Sequence, residues 1–210
     1  MRRVAAGVLL AAWLVAPVSA HRLDEYLQAT LLGVTRQGVE VELQLTPGVA
    51  VLPSVVAVID RNLDGQISPD EERAYSAWVL KDLDLKIDGR SVPLRIVESQ
   101  YPSLQDMHEG LGSIRLKMKA DRAGHELRFE NRHLPELSVY LVNCLADSGA
   151  GLTVGKQERD EAQKSIRFVY SFVGDTAVAS TWLAWLGGVV VLAAGGMVLY
   201  RYRRSPLPKL

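Results

Sequence analysis

The chain has 210 residues, of which 48% are hydrophobic and 23% charged, with 24 basic residues balancing 24 acidic ones. Six of the basic residues (Arg2, Arg3, Arg201, Arg203, Arg204, Lys209) sit at the two ends and no acid does, which leaves 18 basic against 24 acidic residues between them. That acidic middle excludes a broad basic face for nucleic acid, and the single cysteine, Cys144, excludes an intrachain disulfide.

Residues 1–20, "MRRVAAGVLLAAWLVAPVSA", read as a signal peptide. Arg2 and Arg3 form a positive n-region, Val4 to Val15 an apolar h-region, and Val18-Ser19-Ala20 places small residues where signal peptidase cuts. The h-region is short for a membrane anchor, which needs roughly 20 apolar residues. Cleavage after Ala20 makes 21–179 an exported domain.

Strand patterns dominate that domain. "EYLQATLLGVTR" (25–36) and "VEVELQLTP" (39–47) flank Arg36-Gln37-Gly38 and alternate apolar with polar residues, as a hairpin does. "LDLKI" and "SVPLRIVES" flank Asp88-Gly89-Arg90, and Asp-Gly supplies the positive φ angles of a tight turn. Further strands are expected at 113–120, 125–132, 137–145 and 165–173. Their spacing predicts a mainly β fold, an antiparallel sandwich-like domain. Cys144 lies in the apolar run "SVYLVNCLA" and is expected in the core.

One segment breaks the pattern. "SPDEERAYSAWVLKDL" (68–83) predicts a helix, with Ser68 as N-cap, Pro69 in the first turn, and three acids at the positive end of the helix dipole. Just before it, "DRNLDGQISPDE" spaces oxygen-bearing side chains in a fixed register. Counted from Asp60, position 3 is Asn62, 5 is Asp64, 6 is Gly65, 7 is Gln66, 9 is Ser68 and 12 is Glu71. Ca²⁺ takes six to eight hard oxygens, and alternate side chains of a tight turn can share one centre. Asp60, Asn62 and Asp64 would each supply an oxygen, Gln66 its backbone carbonyl, Ser68 its hydroxyl directly or through water, and Glu71 both carboxylate oxygens. Three carboxylates would nearly balance the +2 ion. Magnesium is the second candidate, but a long bidentate glutamate suits the larger cation.

This helical insertion resembles the calcium loop of the EF-hand family over residues 60–71. The entry helix is short: "TPGVAVLPSVVAVI" (46–59) leaves room for two turns, Pro53 to Ile59. A second loop is missing, since counting from Asp84 puts Lys86 at position 3 and Arg95 at position 12. A lone loop lacks a partner to open against, so the expected role of calcium is structural rather than sensory.

Residues 182–200, "WLAWLGGVVVLAAGGMVLY", carry no charge and are long enough, at ~28 Å of helix, to predict a transmembrane helix. Trp182, Trp185 and Tyr200 stand near its ends, and Arg201, Arg203 and Arg204 follow, which predicts a cytoplasmic tail over 201–210. The expected protein is thus single-pass in the cell membrane, with its N-terminal domain periplasmic or extracellular.

A broader resemblance rests on "HRLDEYLQATLLGV", "LTPGVAV", "IDRNLDGQISPDEERAY" and "SVYLVNCL". Together these are similar to the extracytoplasmic N-terminal portion of HupE/UreJ-type bacterial membrane proteins, which are associated with nickel or cobalt permeation. Those proteins continue into several membrane helices, so the resemblance does not extend to transport. It implies a stand-alone relative of the outer domain. The expected function is therefore an interaction or scaffolding role with one bound calcium ion, another membrane protein being one partner it suits. The alternative is an accessory role in handling nickel, cobalt or copper. There the amine and imidazole of His21 would chelate the metal, with His108, His125 or His133 completing the site. Neither a nucleophile elbow nor a two-histidine zinc helix occurs, so no enzyme is expected.

Overall fold

The computed structural model describes residues 24–145 and 151–174. The expected signal peptide, His21, the apolar segment 182–200 and the tail 201–210 lie outside them. The chain divides into two compact units, Met1–Ala146 with Val154–Tyr170 and Asp147–Thr153 with Ser171–Leu210. In the second, the Val173 N–H donates to the Gly151 carbonyl at 2.8 Å.

The first unit is built on strand alternation. β1 (Tyr26–Val34) and β2 (Val39–Pro47) form a nine-pair antiparallel hairpin from Tyr26↔Pro47 to Val34↔Val39. Thr35 and Gly38 bond each other across the turn. Gly38 is there for close approach, because a Cβ on it would stand 1.9 Å from the Ala120 carbonyl oxygen. α1 (Leu52–Ile59) and α2 (Pro69–Lys81) follow, and then β3 (Leu83–Ile87), β4 (Arg90–Ser91) and β5 (Arg95–Gln100). After α3 (Leu104–His108) come β6 (Ile114–Ala120), β7 (Glu126–Asn131), β8 (Ser138–Leu145), β9 (Leu152–Val154), β10 (Glu158–Arg159) and β11 (Ser165–Phe172). One sheet has the order β5-β6-β2-β1-β8, the other β10-β11-β7-β3-β4. Their buried faces meet in the core, where Asn131 Nδ2 of β7 donates to Gln28 Oε1 of β1 at 2.8 Å.

Three expectations need correction. The fold is mainly β with two sheets, as the alternation predicts, but the transmembrane helix included in that fold class is not found among the described residues. Among the described residues no helix is long and apolar enough to cross a membrane. The longest, α2, has 13 residues, against the ~20 of a span. The second correction concerns the hairpin after β3. Asp88 (φ 50°) and Gly89 (φ 73°) do make the tight turn, but the returning strand is only two residues long. The Val92 N–H still bonds the Leu85 carbonyl at 2.8 Å, but Pro93 has no N–H to extend the ladder, so the chain leaves this sheet and β5 pairs with β6 in the other one. Third, the sheets are not wholly antiparallel, for β8 runs parallel to β1 from Tyr26↔Ser138 to Gly33↔Leu145.

β8 lies at the end of its sheet, and part of its outer edge is occupied by side chains. The Gln157 amide both accepts from the Cys144 N–H (3.4 Å) and donates to the Cys144 carbonyl (3.2 Å), as a neighbouring strand would. Arg159 Nε donates to the Val142 carbonyl at 2.8 Å. Cys144 is buried, as its apolar run predicts, and burial pushes its thiol up to about 11.

Candidate metal centre

The loop starts where α1 ends. Leu52, Val55 and Ile59 recur at helical spacing and are fully buried. Burying a side chain of this size contributes about 1.5–3 kcal/mol, so α1 is held by packing despite its length. Its last N–H, from Asp60, donates to the Val56 carbonyl at 2.8 Å. The Asp60 side chain, only 3% exposed, then turns back into the loop. Oδ1 accepts from the Asp64 N–H (3.2 Å) and Oδ2 from the Gly65 N–H (2.9 Å).

Asn62 and Asp64 continue the pattern. Asn62 Oδ1 accepts from the Asp64 N–H at 3.1 Å and its Nδ2 donates to Asp64 Oδ2 at 2.9 Å. Asp64 Oδ1 accepts from the Gln66 N–H at 2.9 Å. Gly65 has φ 77°, with nothing within 4 Å of an added Cβ. It is there for the left-handed turn itself, not for space. Gln66 enters these bonds through its backbone alone.

Glu71 closes the loop. Ser68 is the N-cap of α2: its Oγ accepts from the Glu71 N–H (3.4 Å) and its N–H donates to Glu71 Oε2 (2.9 Å), a capping box, and its hydroxyl also donates to Oε2 at 2.7 Å. Oε1 reaches back to the N–H groups of Arg61 (2.9 Å) and Asn62 (3.4 Å). One carboxylate therefore ties both ends of the loop to the first turn of the helix. The Ser68 N–H foremost, then its hydroxyl, and then the Arg61 and Asn62 N–H groups hold the Glu71 carboxyl down to about 2, while burial opposes them. Among the described residues no lysine, arginine or histidine forms an ion pair with Asp60, Asp64 or Glu71.

All six residues named from the sequence thus lie in one loop and helix start, but in different roles. Asp60 and Asn62 accept from the Asp64 N–H, Asp64 accepts from the Gln66 N–H, Glu71 pairs with Ser68, and the Gln66 side chain stands outside. The carboxylates are aimed at N–H groups: among the described residues no three His, Cys, Asp or Glu side chains converge enough to hold a metal ion as they stand. The donor set still fits a hard cation. Each Asp60 oxygen accepts a single N–H and keeps a lone pair, whereas both Glu71 oxygens carry two donors. Glu71 could ligate only by giving up some of them.

The histidines are dispersed. His108 ends α3 and is exposed, and the exposed His125 donates its N–H to Asp88 Oδ1 at 2.9 Å. His133 is 0% exposed, and both its ring nitrogens are engaged within the core. Nδ1 bonds Asp82 Oδ2 at 2.7 Å, and Nε2 bonds the Tyr75 hydroxyl at 3.0 Å. Tyr75 OH in turn bonds Tyr26 OH at 2.8 Å. Trp78 stands edge-on to the imidazole, ring centroids 4.7 Å apart. Around this chain the His133 carbonyl accepts from Gln28 Nε2 (2.8 Å) and Tyr140 OH (2.9 Å). Sequence patterning misses this network. Its signal is Gln28, which with Thr30 is a polar residue at an inward position of β1.

Compared with protein-family models and with curated proteins, the chain matches none.

Proposed function

We propose that this chain is a calcium-binding protein in which one Ca²⁺ ion braces the loop 60–71 and the start of α2, in an interaction or scaffolding role outside the cytoplasm. One observation carries the reading. Three carboxylates stand in the Asp60–Asp64–Glu71 register around a glycine at φ 77°, two of them almost fully buried, and no cationic side chain among the described residues compensates them. Buried charges are normally paired or bound to a metal, and here only backbone and hydroxyl donors are at hand. Asp60, Asn62, Asp64 and Glu71 would hold the ion with the Gln66 carbonyl and the Ser68 hydroxyl. Bound there, calcium supplies positive charge and cross-linking, not reaction chemistry. Extracellular calcium modules need an affinity of only ~10⁻⁴ to 10⁻³ M.

The test is calcium titration of the full chain followed by its melting temperature. Binding to the folded state alone raises that temperature by several degrees at millimolar calcium. Glu71→Gln should abolish the rise, and magnesium should give a smaller one. An unchanged melting temperature at millimolar calcium refutes the reading.

A further inference from the structure

The chain passes between its two sheets twice in close succession, through 92–94 from β4 to β5 and through 121–125 from β6 to β7. Between these crossings lies an open groove of about 390 Å³, within the size range of small-ligand sites. Val92, Pro93 and Leu94 give it an apolar side, and Arg95, Lys119 and Arg122 a cationic one. Two of the cations are already paired. Arg95 holds Asp121, which also lines the groove, through two bonds of 3.0 and 3.1 Å. Lys119 holds Glu40 at 2.7 Å.

Arg122 is different. It forms no ion pair within 4 Å among the described residues, and its Nε is buried without an acceptor. Asp88 is near enough to be influenced by its charge. However, the Asp88 carboxylate already accepts the N–H groups of His125 and Glu126, both at 2.9 Å. No carboxylate among the described residues therefore pairs with this guanidinium at the wall of the groove, which leaves its charge for an incoming anion.

We propose that this groove binds a small monocarboxylate, its carboxylate on the Arg122 fork and its short apolar body along Val92–Leu94. A planar carboxylate matches one guanidinium edge with two parallel bonds. Along the apolar side backbone donors for a phosphate are few: Pro93 has no N–H, and the Val92 N–H is spent on the Leu85 carbonyl at 2.8 Å. The apolar side also favours an organic anion over an inorganic one. This site is separate from the calcium loop and does not depend on it.

Hexanoate is a suitable probe, with hexanol and inorganic phosphate as comparisons, using calorimetry and ligand-observed NMR on the full chain. Hexanoate should bind saturably in the millimolar range or tighter, and hexanol and phosphate much more weakly. Arg122→Gln should weaken hexanoate about tenfold or more. Arg115→Gln, which removes an exposed charge outside the groove, should leave it unchanged. Leu94→Asp keeps Arg122 but places a carboxylate on the apolar side, and should also abolish binding. Three outcomes overturn the proposal: no hexanoate binding in the millimolar range, equal weakening by Arg122→Gln and Arg115→Gln, or phosphate binding as strongly as hexanoate.

Discussion

Glu71 occupies a place where a single carboxylate decides the geometry of twelve residues. Its four acceptor positions reach Arg61, Asn62 and Ser68, so protonating it weakens both ends of the loop together. The folded state holds this carboxyl at about 2, against 4.5 for an ordinary glutamate. A depressed acid contributes stability that is fully present above 4.5 and is lost as the pH falls through the folded value. Acid unfolding should therefore steepen between pH 4.5 and 2 in the native chain and less so in Glu71→Gln, followed by melting temperature at each pH. Equal slopes in the two proteins would show that Glu71 does not set this acid limit. At this scale the sequence was legible as to register but not role. The spacing from Asp60 to Glu71 can be counted along the chain. Which hydrogens each oxygen faces depends on how the loop folds back on itself.

At the scale of the element, α2 is fixed at both ends by different means. The capping box secures its first turn, worth about 1 kcal/mol for such a cap, and Asp82, just past its last turn, engages His133. Between them Ser76 and the Glu72 carbonyl bond Tyr101 OH, at 2.8 and 3.1 Å. The His133 link has a direction. With Asp82 accepting from Nδ1–H, neutral Nε2 accepts from Tyr75, and Tyr75 accepts from Tyr26. Protonating Nε2 reverses the chain: His133 then donates to Tyr75, Tyr75 to Tyr26, and the fully buried Tyr26 O–H finds no other acceptor among the described residues. The groups facing the imidazole are Tyr75 and Asp82 from α2 and its cap, Tyr26 from β1 beyond Tyr75, and Tyr140 from β8 at its carbonyl. Burial is the main cause that lowers the His133 pKa below the ordinary 6.5, and Asp82 only partly opposes it. The resulting stability is full above 6.5 and is lost as the pH falls below it. His133→Phe should flatten the decline in melting temperature between pH 7 and 5, even if it melts lower throughout. An undiminished decline would assign the acid sensitivity elsewhere.

At the scale of the whole molecule, alternation along each long strand reveals which side chains go inward, because a period of two is local. It does not reveal partners. The parallel pairing of β1 with β8 joins residues more than 100 positions apart, and nothing in either strand alone distinguishes that neighbour from an antiparallel one. β4 and β5 read as one run until Pro93 is weighed as an interruption, while α3, β9 and β10 are too short to show a period. The Tyr26–Tyr75–His133–Asp82 chain escapes notice for the same reason: its members come from three distant parts of the sequence, Tyr75 and Asp82 both belonging to α2 and its cap.

The Gln157 and Arg159 contacts on β8 bear on how this protein behaves in company. A strand edge invites addition of another chain, and sheets defend against this with charges, bulges or covers. Here an amide side chain imitates the backbone of an absent neighbour and an arginine holds the next carbonyl. Such a guard can be removed without touching the core. Gln157→Ala should cost about 1 kcal/mol of stability yet raise the tendency to associate at high concentration, seen as growth in light scattering while the monomer remains folded. Unchanged scattering would mean that Arg159 suffices. In that sense β8 ends its sheet by occupation rather than by shape, and its edge is closed to another chain partly by two side chains, Arg159 on the short strand β10 and Gln157 just before it.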